Sequence, residues 1–416
     1  MKHQGRLVPA AIGLSHSEQF QRLAEGCPDA VPRAFLAGDP CFDRILASRP
    51  RRLHYRRAFH LRPGQRLITV NSTWREDSLY GLDPRLVHRL LDEVPLDEFR
   101  VALVLHPNVW ASHGRERIRA WLFEALRAGL ILLPPDEGWR AAIIAADWVL
   151  SDHGSVGVYA AAAGRPVLLE QSGRPAIDPR SGLGRLFDVA APLDPLAPLR
   201  PQLERAERAL DRTREVAATW VSSAPGRSLR LIRDEVYRII GERPPESDPP
   251  LLAVESPAVA GALPASLWTH VEEGAVQGEL SVRRTPATVA GRHQGMLIVS
   301  DEELDHRLAG IADVIRIPAA ALPADEETWS ADVFEQRPGV QLTVVHDARG
   351  GRMRTRDGRS AAVVLDSACP DAELVLAVLA ERAVTGDLDA LAKLSPLVVC
   401  ASGERTIKAE FRVIRP

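Results

Sequence analysis

Four short segments combine polar residue types with a spacing suited to holding an anion. Asn71-Ser72-Thr73-Trp74-Arg75 puts hydroxyls and a guanidinium directly after an apolar run, where Ser72, Thr73 and Arg75 can reach phosphate oxygens through charge-assisted hydrogen bonds. His106-Pro107-Asn108 follows a second apolar run, and the proline there stops a strand and fixes the direction of the imidazole. Glu137-Gly138-Trp139 reads as a helix start whose glycine admits a ligand closely. Ser151-Asp152-His153-Gly154-Ser155-Val156 has the form of a strand, a tight turn and a helix, which aims several backbone N–H groups at one point. Each segment taken alone is accounted for by ordinary capping or packing, since Ser, Asp and Gly are common at helix starts. Brought to one edge of one sheet, the four supply the groups a diphosphate needs.

Such an edge is predicted by the pattern of elements around them. From Gln65 onward, apolar runs of strand length alternate with amphipathic runs of helix length, which argues a parallel sheet with crossover helices. Strands are expected at Arg66–Val70, Arg100–Leu105, Leu130–Leu133, Trp148–Leu150 and Pro166–Leu169. Helices are expected at Pro84–Glu93, Arg115–Ala128, Gly138–Ala146 and Ser155–Ala163. The unbroken run Val101-Ala102-Leu103-Val104-Leu105 fits a strand buried on both faces. In a doubly wound α/β sheet the ligand lies beyond the carboxyl ends of the strands, where all four segments fall. A Gly/Pro/Ser-rich loop spans Gln171–Gly184, and a long helix from Leu199 and a further apolar stripe through Ile240 close the unit.

The domain reading is therefore 1–50, a short lead-in; 51–241, a Rossmann-like unit; 242–261, a Pro-rich linker; and 262–416, a smaller α+β unit. In the last, strands are expected at Gly295–Val299, Val340–Val345, Ala361–Leu365 and Leu397–Cys400, with helices at Glu302–Ala312 and Asp371–Ala383. Its polar residues, His306 and His346 among them, form no metal-spacing set and no nucleophile beside a base, so no chemistry is assigned to it.

Composition narrows the classes. A chain of 416 residues with 45% hydrophobic side chains can build two or three cores. No run reaches the roughly 18 apolar residues of a spanning helix and no signal-peptide core opens the chain, so a cytoplasmic location is expected. Cys27, Cys41, Cys369 and Cys400 are scattered, which suggests free thiols and no metal site. A net charge of -3 argues against nucleic acid as the partner. A basic cluster, Arg49, Arg51, Arg52, Arg56 and Arg57, could face anionic lipid or polymer, but solvated surface is the stronger reading because the whole chain uses arginine heavily. No G-x-x-x-x-G-K-[ST] loop and no strand followed by G-x-G-x-x-G occurs, which disfavours an NTPase and a dinucleotide enzyme.

The order of these motifs resembles the GT-B superfamily, in particular the C-terminal, nucleotide-binding half of CDP-glycerol glycerophosphotransferases of the teichoic-acid type. Gly38-Asp39-Pro40-Cys41-Phe42-Asp43-Arg44-Ile45 resembles that family's G-x-P-R-N-D-x-L segment with the arginine and asparagine replaced. Asn71-Ser72-Thr73-Trp74-Arg75 resembles P-T-[FW]-R, Leu105-His106-Pro107 the strand ending in H-P, and Ser151-Asp152-His153-Gly154-Ser155-Val156 the turn T-D-Y-S-S-V. Gly164-Arg165-Pro166-Val167 is similar to the K-P-[IV] strand entry. The resemblance covers about residues 36 to 175.

It implies a GT-B-type transferase that moves a sugar or polyol phosphate from a nucleotide-diphosphate donor, with no further cofactor required. His106 and Arg75 would stabilise charge on the leaving diphosphate. Ser72, Thr73, Asp152, His153, Gly154 and Ser155 would cradle it, with Gly138 beside them. Glu137 and Glu170 are placed toward base or ribose by position alone. Residues 1–50 read as the remnant of an N-terminal GT-B half, with Gly13-Leu14-Ser15-His16 a strand end leading to a helix and His16 on the acceptor side. The opposing readings are a non-catalytic nucleotide-binding scaffold or half-enzyme that needs a partner, and a nucleotide-sugar epimerase. A peripheral membrane contact and a homo-oligomer stay open.

Overall fold

The computed structural model describes residues 2–259, 263–274, 279–287, 295–366, 372–386, 388–401 and 406–414. After a short antiparallel pair, Lys2–His3 with Arg6–Leu7, comes a small β-α-β unit in which β1 (Ile12–Leu14) and β2 (Ala34–Leu36) pair in parallel across the helix Gln19–Gly26. Helices α1 (Pro40–Ser48) and α2 (Arg52–Ala58) follow, which the sequence pattern had not suggested. Asp39 starts α1 by accepting a hydrogen bond from the Phe42 amide at 2.9 Å, with Pro40 at the first helical position where its missing N–H costs nothing.

The expected parallel sheet is present, with six strands. These are β3 (Arg66–Ser72), β4 (Phe99–Leu105), β5 (Ile131–Leu132), β6 (Trp148–Ser151), β7 (Val167–Leu169) and β8 (Ala191–Pro192). Their spatial order is β8-β7-β6-β3-β4-β5, and every pairing is parallel. Counted from the first strand this is 3-2-1-4-5-6, so the order reverses between β3 and β6, the crevice where open α/β sheets bind ligands.

Both faces are covered, and the period-two alternation of each strand divides its side chains between two cores. Leu67, Ala102, Val104, Val149 and Leu169 pack on the face covered by α1, α2, α6 (Trp139–Ala145) and α7 (Ser155–Ala162). Ile68, Val70, Val101, Leu103, Leu105 and Leu150 pack on the other, against α3 (Leu86–Glu93), α4 (Arg115–Trp121), α5 (Phe123–Arg127) and α8 (Leu199–Arg208). All seven residues of β4 are buried, as the unbroken apolar run required.

Three expectations need correction. The helix expected over Arg115–Ala128 is two, broken at Leu122. The long helix from Leu199 is likewise two, Leu199–Arg208 and Leu210–Val221. The helix expected over Glu302–Ala312 is shortened to His306–Gly310, because Asp305 caps it by accepting from the Arg307 amide at 2.9 Å while Glu303 is drawn away to Arg127 and Ser266.

The Pro-rich segment has no regular structure through residue 259, yet it is docked rather than free. Val254 is buried, its amide donates to Ser48 Oγ at 2.9 Å and its carbonyl accepts from Tyr55 Oη at 2.7 Å. The C-terminal unit is built on a ten-stranded mixed sheet. Three of its central strands, Met296–Ser300, Val314–Pro318 and Leu342–Asp347, are mutually parallel, and antiparallel strands flank them. The helix Ala372–Thr385 covers one face and Glu326–Gln336 the other; Asp371, the expected helix start, and Cys369 lie outside the described residues.

This unit docks on the amino edge of the parallel sheet. Asp97, just before β4, is 1% exposed and receives Arg284 Nη2 at 2.6 Å and Nε at 2.9 Å, while the Leu96 amide donates to the Arg284 carbonyl at 2.9 Å. No helix among the described residues is long and apolar enough to cross a membrane.

Candidate functional site

The carboxyl ends of β3, β4 and β6 open into one cavity of about 360 Å³, within the usual size range of small-molecule sites. Asn71, Ser72 and Thr73 reach it from β3, His106 from β4, and Ser151, Asp152, Gly154 and Ser155 from β6. Trp139, Arg140 and Asp136 close the remaining side. All four segments singled out in the sequence therefore contribute to one site.

Asp152 is the internal tie of this site. Its carboxylate is 1% exposed. Oδ2 accepts from the Thr73 amide and the Thr73 hydroxyl, each at 2.8 Å, and from the Leu79 amide at 2.9 Å; Oδ1 accepts from the Gly154 amide at 3.1 Å. Four donors consume its acceptor capacity, so Asp152 holds the β3 and β6 turns together. Close approach of the turns requires Gly154, since a Cβ there would lie 2.7 Å from Thr73 Cγ2. Ser72 is similarly occupied, accepting from the Tyr80 amide at 2.9 Å.

Two neighbouring residues are not occupied. Asn71 and Ser151 sit opposite each other in the β3–β6 register, 3% and 1% exposed, at the point where the strand order reverses. Both residues line the cavity, and their Asn71 Oδ1 and Ser151 Oγ atoms are buried with no hydrogen-bond partner. A buried polar atom without a partner costs about 1–3 kcal/mol, and a ligand offering complementary groups would recover it.

His106 starts the helix Pro107–His113, accepting the Asn108 amide at Nδ1 at 3.1 Å. The neutral ring then carries its proton on Nε2, which makes that atom a donor. Its ring stacks on Trp74 at 6.3 Å. Arg140 is the cavity's cation, held by Glu137 Oε2 at 2.6 Å and over the Trp139 ring at 4.5 Å, with its Nε directed to Cys41 Sγ at 3.2 Å. Burial pushes the Cys41 thiol up, so it stays protonated. Tyr159 donates to Asp39 Oδ2 at 2.9 Å, and burial, then Asp39, raise its hydroxyl well above the ordinary range. Through Cys41 and Asp39 the segment Gly38–Asp43 is attached to the wall of the cavity. Asp43 itself is buried and accepts from the Gly226 amide at 2.6 Å and the Ser228 amide at 3.0 Å, which anchors the helix Ser228–Ile240.

Other expected site residues lie outside the cavity lining. Arg75 is exposed at φ 85°, with its guanidinium 4.2 Å over Trp74 on the rim. His153 faces Thr73 Oγ1 at 3.3 Å and Asp77 Oδ2 at 3.9 Å, beneath Gly173 of the Gln171–Gly184 loop. Glu137 is engaged by Arg140 and the Gly138 amide, and Gly138 takes the left-handed conformation that starts α6. Glu170 accepts from the Ser172 amide at 2.9 Å and hydroxyl at 2.6 Å. His16, after β1, packs on Trp220 at 5.2 Å and accepts from the Glu18 amide. Ser151 and Arg140 were missed by residue-type reasoning. Ser151 lay one residue past a strand expected to end at Leu150 although it is the last strand residue, and its register with Asn71 is a tertiary fact.

A doubly wound α/β unit with a polar cavity at its switch point is the class that fold and site define. No family model and no curated protein matches the chain. Among solved structures the chain is similar to the wall teichoic acid polymerase TagF, at 13% identity over 56% of this chain and 57% of that one, with a TM-score of 0.39. It is similar too to UDP-GlcNAc 2-epimerase from Neisseria meningitidis bound to UDP-GlcNAc, at 16% identity over 52% and 58%, TM-score 0.33. A third is the catalytic domain of starch synthase IV from Arabidopsis thaliana bound to ADP and acarbose, at 10% identity over 55% of each chain, TM-score 0.29. The chain spans 57% of the matched TagF chain's length.

Proposed function

We propose that the switch-point cavity binds the diphosphate of a nucleotide-activated donor, and that the chain acts as a GT-B-type transferase of a sugar or polyol phosphate. The observation that carries this reading is the pair of buried, unpartnered atoms Asn71 Oδ1 and Ser151 Oγ on two residues that line one cavity. Around them stand groups suited to an anion: His106 Nε2–H, the Arg140 guanidinium, and the first-turn amides of α7, which have no acceptor within the helix. Developing negative charge on a departing diphosphate would be stabilised by these fixed donors without reorganisation.

A second reading, a nucleotide-binding protein without catalysis, is favoured by His106. Its Nδ1 already accepts a backbone amide, so this imidazole is arranged to donate rather than to act as a base. Calorimetric titration with CDP, UDP, GDP and CDP-glycerol tests the site. Micromolar binding of one of these, weakened at least tenfold by both His106→Ala and Ser151→Ala, is expected, about 1.4 kcal/mol each. Binding of none would sink both readings. Binding without release of nucleotide from CDP-glycerol or UDP-sugars, across acceptors, would leave the second.

A further inference from the structure

The amino edge of the same sheet carries a different concentration of charge. Asp147 lies just before β6 and Arg165 two residues before β7, both on the side away from the cleft. Beside Arg165 is an open pocket of about 440 Å³ lined by Arg49, Arg52 and Arg165 on the polar side and Leu46, Ile144 and Ala163 on the apolar side. Arg214 joins them: a Cβ on Gly164 would lie 3.5 Å from Arg214 Cδ and 3.9 Å from Arg49 Nη2, so these two arginines meet above the same glycine.

Part of this cluster is explained by the fold. Arg52 donates to the Ala145 and Ala146 carbonyls at 3.2 and 3.1 Å and to Asp147 Oδ1 at 2.6 Å. Arg56 donates to the Ala145 carbonyl at 3.0 Å and Asp147 Oδ2 at 2.8 Å, and Arg165 donates to the Ala146 carbonyl at 3.2 Å. These three close the carboxyl end of α6, where cations are favoured by the helix dipole. Asp147 and a helix end worth about half a charge cannot neutralise five guanidiniums. Arg49, in the pocket lining, and Arg214, beside Arg49 at Gly164 but outside the lining, are surplus, and both are exposed. The Nε atoms of Arg52 and Arg165 are buried without partners. Burial, then Arg52 and Arg49, push the Arg165 guanidinium down to about 10, and Asp147 is the carboxylate that opposes them. Cations held together in this way are stabilised by a multivalent anion.

We infer that the Arg49–Arg52–Arg165 pocket is a second anion site, separate from the donor cleft, that takes a phosphate group through guanidinium forks, with Arg214 completing the ring of charge. The group is carried either by a free phosphate or phosphomonoester or by a lipid headgroup, and the pocket's open mouth admits both.

Calorimetry of the full chain with inorganic phosphate at low ionic strength tests the inference, alongside Arg49→Glu, Arg214→Glu and His106→Ala. Both arginine variants lie on the surface, and thermal midpoints check their folding. Saturable phosphate binding, weakened at least tenfold by either arginine variant, kept in His106→Ala, and falling with added salt, is expected. Co-sedimentation with phosphatidylglycerol/phosphatidylcholine vesicles, against phosphatidylcholine alone, separates the sources. Vesicle binding that is displaced by phosphate and lost in Arg49→Glu assigns the headgroup, and phosphate binding without vesicle binding assigns the soluble ligand. No phosphate binding, affinity equal in wild type and both arginine variants, or vesicle binding that phosphate does not displace would each overturn the site. CDP titration of Arg49→Glu should be unchanged, which keeps this test independent of the donor cleft.

Discussion

The two edges of the parallel sheet at β3 and β4 use the same residue types to opposite ends. At the amino edge, Asp97 is enclosed by Arg284 in a two-pronged pair, with Arg62 at 3.8 Å, and the neighbouring Glu98 is engaged by Arg66 and Arg200. At the carboxyl edge, Asp152 is equally saturated, but the residue before it and its partner in register, Ser151 and Asn71, are left with open polar atoms beside a cavity. At the amino edge the buried carboxylate is saturated by the docked unit, although Arg100 Nε nearby is buried without a partner; at the carboxyl edge the unpartnered atoms belong to residues that line a cavity. Residue type alone distinguishes neither.

The largest test of this contrast is at the docking edge. Asp97→Asn removes the carboxylate that faces the Arg284 guanidinium, itself 3% exposed. Loss of one partner from a buried pair costs about 3–5 kcal/mol. Chemical denaturation should show that loss, or an early separate transition for the C-terminal unit, while nucleotide affinity of the folded protein stays as in wild type. A stability change below about 1 kcal/mol would mean that water reaches this pair and that the amino edge is no drier than the cleft.

At the cleft, two adjacent residues should respond in opposite ways. Asp152→Ala orphans the Thr73, Leu79 and Gly154 amides and should cost stability by about 1–3 kcal/mol or more. Ser151→Ala removes a hydroxyl that satisfies nothing, so the unfolding midpoint should stay level or rise, and only nucleotide binding should fall, by about tenfold or 1.4 kcal/mol. Equal destabilisation by both would show that Ser151 has a structural partner, and the distinction between the edges would fail there.

How far the sequence revealed these edges follows from what each depends on. The strands of the first sheet were legible because burial on both faces demands continuous apolar runs, as in Val101–Leu105. The sixth strand was not, since Ala191–Pro192 is two residues at an edge, where proline is tolerated and no periodicity can build. Four turns at one edge could be anticipated from their place after strands, and they do line one cavity. Their division of labour could not be read. Asp152 looked like a ligand group and its bonds are internal, whereas Ser151 lay past the expected strand end and is open. The Asp97–Arg284 pair joins residues 187 positions apart, and no local pattern signals it. The hairpin Ser266–Glu273 with Glu279–Pro286, which carries Arg284 to that edge, was missed for the same reason: its polar residues make contacts that only docking supplies.

The smallest effect concerns pH and extends the contrast into the second unit. His346 stands beside Arg316, Nε2 to Nη1 at 3.4 Å, with Glu373 bound to the same Arg316 at 3.3 Å and Asp347 next in sequence. Burial, then Arg316, lower the His346 pKa below its ordinary value near 6.5, although Glu373 and Asp347 act the other way. The unfolded chain therefore takes up this proton first as pH falls. With more protons on the unfolded state, stability drops as pH is lowered through about 6.5 and continues to drop until the folded-state pKa is passed. In His346→Gln this component is absent, so the stability-against-pH curve between pH 7 and 5 should be flatter than wild type, most visibly for unfolding of the C-terminal unit. Most carboxylates titrate below this window in both proteins; Glu373, whose pKa His346 helps to lower, changes between them. Identical slopes would mean that His346 titrates like a solvated imidazole, and that the dry, saturated character of the docking edge ends at Arg284 without reaching Arg316.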